Sequence, residues 1–395
     1  MSVSRGRKVL ATPGPTILPD EVLAAMHRQP IDLYGSAMEE ITQSCLADLK
    51  SVFGTQGSIY IYITNGHGAW EAALTNILSR GDRVLALESG LFATAWADLA
   101  RALGIEVELL PGDPRRAVDP AALEERLRAD REHRIKAILV VQVDTASSVV
   151  NDIPAIRAAI DKAGHPALFL VDAIASLATM PFMMDAWRID VALGAAQKGL
   201  MLPPGIAFVA AGPRAKQARQ AAGLATRFWD WVFRDGEENY MKHCGTAPEH
   251  LIFGLRAALD LLAEEGPAAT FRRHQLLADA VREAVSAWSK DGSVEFNIIA
   301  PSQRSNAVTT ILTNGFDPLE LQQWCEAVCG VSLGTGIGSF SGKGFRIAHM
   351  GHVNAPSILG VLGAVEAGLT ALRIGKASGG VSAASALLGR SIGRG

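Results

Sequence analysis

The sequence is short of cysteine, has no surplus of charge and contains no long apolar run, and each shortage removes a class of protein. Four cysteines in 395 residues, Cys45, Cys244, Cys325 and Cys329, do not make the disulfide framework of a small secreted chain. Cys325 and Cys329 fall on one face of a helical pattern, but with no histidine or further cysteine nearby no metal is expected. The balance of 37 Lys and Arg against 40 Asp and Glu, net −3, favours neither nucleic acid nor a membrane surface as a partner. No apolar run approaches the ~20 residues that cross a bilayer. Arg5, Arg7 and Lys8 run straight into the Pro-Gly-Pro turn at residues 13–15, with no apolar core of an export signal behind them. The expectation is a cytoplasmic chain, long enough for two or three domains.

What is present is an alternation. Short apolar runs at 58–64, 83–88, 106–110, 137–143, 167–171, 191–193 and 206–210 are separated by helix-like segments such as 69–78, 92–103, 120–129 and 153–163. Near-continuous Val/Ile/Leu runs between helices predict an α/β fold with a mostly parallel sheet, covered on both faces. Helical patterns then follow from 248 to 290, and strand-like runs at 307–312 and 344–347 flank a helix-like 318–328. This change of rhythm predicts a smaller C-terminal α+β domain. The expected divisions are an N-terminal arm at 1–20, a large domain at 21–265, a small domain at 266–374 and a flexible Gly/Ser/Ala-rich tail at 375–395.

Ligands of such sheets sit beyond the carboxyl ends of the strands. Asp172 directly follows the run at 167–171, and Lys198 follows the run at 191–193, within VDAIASL and QKGLMLPPG. Separately, a lysine here is a surface residue and an aspartate before a helix is its N-cap. Together they suit a pyridoxal 5′-phosphate (PLP) site, which needs a lysine for the Schiff base and an acid to keep the pyridine nitrogen protonated. Once displaced by a substrate amine, the lysine can serve as general base for the α-proton. The run at 58–64 ends in Asn65-Gly66-His67-Gly68, a strand-to-helix turn suited to a phosphate. His67 beside it could stack on, or hydrogen-bond, an aromatic cofactor. A lone Gly-x-Gly turn means little; this one gains weight from sharing a sheet edge with Asp172 and Lys198.

Longer stretches carry a family resemblance: TPGPT at 12–16, GHGAWEAAL at 66–74, HPALFLVDAIASL at 165–177, QKGLMLPPG at 197–205, LGTGIG at 333–338 and FRIAHMG at 345–351. The chain resembles the class V (fold type I) PLP-dependent aminotransferases, specifically the serine–glyoxylate and alanine–glyoxylate branch. The resemblance implies catalytic roles for Lys198, as the Schiff-base residue, and for Asp172, as the pyridinium partner. It also implies cofactor contacts by Asn65, Gly66, His67, Phe92, Thr145, Ile174 and Gln197. Arg346 would grip the substrate carboxylate, and Gly14 and Tyr34 would help shape the substrate pocket. His243 and Thr246 would reach the phosphate of a neighbouring subunit, which implies a homodimer with two shared sites. The implied activity moves an amino group from serine or alanine to glyoxylate or pyruvate, by a ping-pong mechanism.

Three departures bear on the substrate. Asp144-Thr145-Ala146-Ser147-Ser148 replaces a loop that begins with Glu and carries a glycine in the family, so a different loop backbone is expected. His243-Cys244-Gly245-Thr246-Ala247-Pro248 lacks the family's aromatic beside the threonine, and Tyr34 stands where smaller residues are usual. Aspartate–glyoxylate and pyridoxamine–pyruvate transamination therefore stay open. A cysteine desulfurase or lyase is a distant alternative, since Ile-Ala-His-Met-Gly-His after Arg346 offers no thiol. A non-catalytic binding protein of the same fold would be expected to lose Lys198 or Asp172.

Overall fold

Strands between residues 58 and 211 carry apolar side chains on both faces, and in the computed structural model, which describes residues 2–375 and 378–392, they assemble into a seven-stranded sheet. With β1 at Val9–Ala11, its members are β2 (Ser58–Tyr62), β3 (Arg83–Leu87), β4 (Glu106–Leu110), β5 (Ile135–Val141), β6 (Leu168–Asp172), β7 (Val191–Ala195) and β8 (Ala207–Ala211). Their order across the sheet is β2-β8-β7-β6-β5-β3-β4. β8 is antiparallel to both its neighbours, and the remaining pairs are parallel. Side chains alternate in and out along each strand, so Ile59 and Ile61 join one core while Tyr60 and Tyr62 join the other. Helices cover both faces, which is why the runs read as continuously apolar.

Parallel strands share one carboxyl edge, and that edge collects the loops after β2, β3, β5, β6 and β7. A second sheet follows: β9 (Val294–Phe296), β10 (Val308–Thr313), β11 (Val331–Thr335) and β12 (Gly344–Ala348). Its order is β1-β11-β12-β10-β9, with β1 parallel to β11 and the other pairs antiparallel. This smaller sheet packs against the helices Pro267–Trp288 and Ala355–Ala371 through Val281, Val285, Ile311, Phe345, Val361 and Val365.

Two expectations meet a different structure. Val9–Ala11, expected in an N-terminal arm, forms the edge strand of the small sheet. The expected flexible tail contains a helix over Gly380–Ile392, with Ala384 and Leu388 buried one turn apart. Glu366 anchors its start by accepting from the backbone of Gly379 and Val381 while also accepting from Trp288 Nε1. Residues 376, 377 and 393–395 of that tail lie outside the described residues. Among the described residues, no helix is long and apolar enough to cross a membrane.

Candidate active site

The carboxyl edge of the large sheet opens into a cleft of about 300 Å³. Its walls come from five strand ends and from the N-terminal turn: Gly14, Asn65, Gly66, His67, Phe92, Thr145, Asp172, Ile174, Gln197 and Lys198 all line it. These ten include most of the residues singled out from the sequence.

At the end of β6, Asp172 is buried, and both carboxylate oxygens are held. Oδ1 accepts from the Ile174 backbone N–H at 2.8 Å and Oδ2 from Trp70 Nε1–H at 2.7 Å. Burial pushes its carboxyl up to about 6, against the pull of these two donors. Lys198 follows β7, and its amine donates to the Pro13 carbonyl. Burial and the Arg346 charge pull that amine down to about 8. A Cβ at Gly14 would come within 2.9 Å of Lys198 Nζ, so glycine there keeps the lysine free to occupy this space. Thr16 clamps the same turn from the other side, its N–H donating to the Gln197 carbonyl and its hydroxyl to the Lys198 carbonyl.

The turn after β2 is an anion cup. Asn65 is the N-cap of helix Gly66–Ile77, and its side chain accepts from the His67 N–H at 3.0 Å. A Cβ on Gly66 would meet Ile174 at 2.5 Å, and one on Gly68 would meet Thr64 at 1.9 Å. Close packing thus demands the glycines. It also leaves the rest of the helix's first turn as bare backbone donors at its positive end. His67 is neutral at ordinary pH, because burial lowers its pKa.

Asp144 and its loop join the two domains. Its buried carboxylate accepts from the backbone N–H groups of Phe92, Ala93, Ala146 and Ser147, fixing the helix that begins at Leu91 against the loop that carries Thr145. The next four carbonyls all face small-domain donors. Thr145 is bonded by Arg346 Nη1 at 2.8 Å, Ala146 by the Thr310 hydroxyl, Ser147 by Asn297 Nδ2 and Ser148 by the Ser305 N–H. Ser148 itself takes the left-handed conformation, φ +66°, and its hydroxyl accepts from the Thr310 N–H at 3.1 Å. That bond offsets the ~1 kcal/mol that a non-glycine pays there.

Arg346, on β12, is buried and donates to the Thr335 and Thr145 carbonyls. Burial lowers its pKa to about 10, with Asp144 opposing, so it stays charged. Two of its five N–H donors are spent on these carbonyls, and the others can take a carboxylate.

Four sequence-derived residues do not line this cleft: Arg346, which borders it through the Thr145 carbonyl, and Tyr34, His243 and Thr246. Tyr34 is 81% exposed and does not line it. His243 was expected to reach a neighbour's phosphate, but it is only 1% exposed, with Nε2 3.5 Å from the Thr42 hydroxyl. Burial and the Arg234 charge lower its pKa to about 4; an inward, neutral ring cannot serve a second subunit. Thr246, past the left-handed Cys244 and Gly245, is exposed. Sequence reasoning overlooked Trp70 and the part played by Asp144. Trp70 lies one helical turn beyond Gly66, a spacing that puts both on one face.

The chain belongs to the class-V aminotransferases: that family's model matches residues 9–348. Over 97% of its length it is 38% identical to a serine–glyoxylate aminotransferase of Methylorubrum extorquens, of which it covers 96%. It is 35% identical to an L-aspartate–glyoxylate aminotransferase of Paracoccus denitrificans, over 90% of this chain and 89% of that one. Among solved structures, the pyridoxamine–pyruvate aminotransferase of Mesorhizobium loti superposes with a TM-score of 0.88 at 27% identity, covering 99% of this chain and 100% of that one. The fold is thus that of the type I PLP-dependent aminotransferases, and the chain is a transaminase.

Proposed function

We propose that this transaminase binds PLP through Lys198 and moves the amino group of a small L-amino acid, serine or alanine foremost, to glyoxylate or pyruvate. The observation that carries this reading is a half-buried lysine and a buried carboxylate facing one cleft, with a bare helix N-terminus at its rim. The donor set suits the cofactor: an amine for its aldehyde, a carboxylate for its ring nitrogen, a cup for its phosphate, and His67 and Phe92 as flat walls.

When bound, PLP supplies the aldehyde carbon that takes up the amino group and the ring that absorbs the electron pair left when the Cα–H bond breaks. The residues do the rest. Asp172 holds the proton on the ring nitrogen. The helix N-terminus at Gly66 and the Gln197 amide bind phosphate, and the Thr145 hydroxyl orients the ring. Arg346 fixes the substrate carboxylate and so points the Cα–H bond. Lys198 Nζ, free once the incoming amine has displaced it, would accept the α-proton and return it to the former aldehyde carbon, two bonds from Cα. An amine whose pKa lies near 8 is a base poised for this at neutral pH. The same residues run the reverse half-reaction on the keto acid.

A neutral donor is favoured because the cations at and beside the cleft are already assigned: Lys198 to the cofactor and Arg346 to the shared α-carboxylate. Aspartate or pyridoxamine as donor stays the second reading, supported by the likeness to the Paracoccus and Mesorhizobium enzymes. None of the four cysteines lines the cleft, which argues against sulfur chemistry. The exposure of Thr246 supports a homodimer in which each subunit lends this residue to its neighbour's phosphate site, and the unpaired cysteines suit the cytoplasm.

The test is the visible spectrum of the purified protein supplied with PLP. A band near ~410–420 nm should fall with L-serine and return with glyoxylate. A band that ignores serine but answers aspartate or pyridoxamine moves the assignment to the second reading, and no band at all removes PLP.

A further inference from the structure

Trp70 has no part in the roles above, yet at the floor of the cleft it meets Asp172, His67, Phe92 and Trp96. It is 1% exposed. Its ring stacks on Trp96 with centroids 5.9 Å apart and planes 15° apart. It also meets His67 at 4.5 Å and Phe92, edge-on, at 6.5 Å. One rigid side chain therefore touches both flat walls of the cleft, with Trp96 fixing it from behind.

Packing alone accounts for such a ring but not for where its N–H goes. Trp96 is equally buried, and its Nε1 meets no acceptor among the described residues. Trp70 Nε1–H instead lands on Asp172 Oδ2 at 2.7 Å, while the Ile174 N–H holds Oδ1. Two donors on opposite oxygens fix the carboxylate plane, and both favour its ionised form. Each oxygen keeps a further lone pair, so the carboxylate can still accept from a ring nitrogen. The groups around Asp172 from other elements are the Lys198 amine, which opposes its protonation, and the Asp144 carboxylate, which promotes it. Of these influences, only the indole N–H can be deleted without removing a charge or rebuilding the backbone.

We propose that Trp70 is a positioning residue for amino transfer: its N–H holds Asp172 as an ionised acceptor for the cofactor's ring nitrogen, and its ring sets His67 and Phe92 at the spacing of a planar ligand. This rests on the PLP reading above.

Two variants separate the role from packing. Trp70→Phe keeps an aromatic ring and deletes the donor, while Trp96→Phe disturbs the same stack without touching Asp172. In cofactor-free protein, the infrared carboxyl band of Asp172, assigned by its loss in Asp172→Asn, should titrate about one pH unit higher in Trp70→Phe than in the wild type. In Trp96→Phe it should not move. In PLP-loaded protein, Trp70→Phe should shift the pH profile of the visible band and lower kcat about 10- to 100-fold, with KM for the keto acid changing less than about 2-fold because Arg346 is untouched. An unmoved Asp172 titration in Trp70→Phe, or an equal shift in Trp96→Phe, overturns the proposal and leaves Trp70 as core. Failure of the wild type to give a visible band with PLP would instead defeat the functional reading, and the infrared result on the cofactor-free chain would still decide what Trp70 does to Asp172.

Discussion

The floor of the cleft and the segment Asn239–Pro248 hold their functional groups in opposite ways. Asp172 and Lys198 follow strands of the large sheet, and their surroundings are complete within one chain: carbonyls, backbone N–H groups and an indole already meet them. In the other segment, a five-residue helix ends at His243, and the left-handed Cys244 turns the chain so that His243 faces inward and Thr246 outward. Thr246 has no part in its own chain's cleft. A sheet edge imposes geometry through the backbone ladder, whereas an exposed turn acquires a function only from what docks against it.

That contrast can be strained from its strongest point outward. Lys198→Ala should lower transamination roughly 10⁴-fold, the scale of a lost general base, measured as single-turnover reduction of the visible band by serine. Asp172→Asn should expose the cost of a pre-formed floor. The carboxyl sits at about 6 in the folded chain against an ordinary 3.8. The folded state therefore binds the proton more tightly, and that stabilisation, full at low pH, is lost as pH rises through about 6. The variant should melt higher than the wild type in cofactor-free protein above that pH, by up to about 3 kcal/mol. The gain should vanish below pH ~4, when both states are protonated. Arg346→Lys should raise KM for both amino and keto acids about 100-fold, because a point charge replaces a planar fork. Thr246→Ala should weaken PLP binding only about 10-fold, the worth of one hydrogen bond to a charged group. If the segment serves its own chain, mixing Thr246→Ala with Lys198→Ala subunits restores nothing beyond the sum of the parents. If it serves a neighbour, each mixed dimer gains one intact site.

The strands around the site were legible in the sequence because burial on both faces makes them plainly apolar, and the rule of carboxyl ends then pointed to Asn65, Asp172 and Lys198, while Thr145 came from the family resemblance. Several features lacked such a signal. β1 is three residues long with an exposed Leu10, and its partner β11 lies almost the whole chain away in sequence. The Gly/Ser/Ala-rich tail hides a helix because its apolar face consists largely of small residues, with Gly380, Ala384 and Leu388 buried among the described residues. Trp70 reads as ordinary core until its N–H is seen to land on Asp172. The inward turn of His243 depends on one backbone angle at Cys244, which no side-chain pattern announces. The loop at Asp144–Ser148 reads as one that has lost a glycine, and nothing in the sequence shows that the Ser148 hydroxyl reaches the Thr310 N–H.

The parallel pairing of β1 with β11 bears on how the molecule is made. Val9 lies opposite Val331, so the edge of the small sheet joins two strands more than 300 residues apart, the second made long after the first. At ~5–20 residues per second, β1 waits on the order of tens of seconds for its partner. The large sheet, with its strands complete by Ala211, can close well before that. The Pro13–Thr16 turn that meets Lys198 follows β1 directly, so the small sheet can brace that wall of the cleft only after residue 331 has been made.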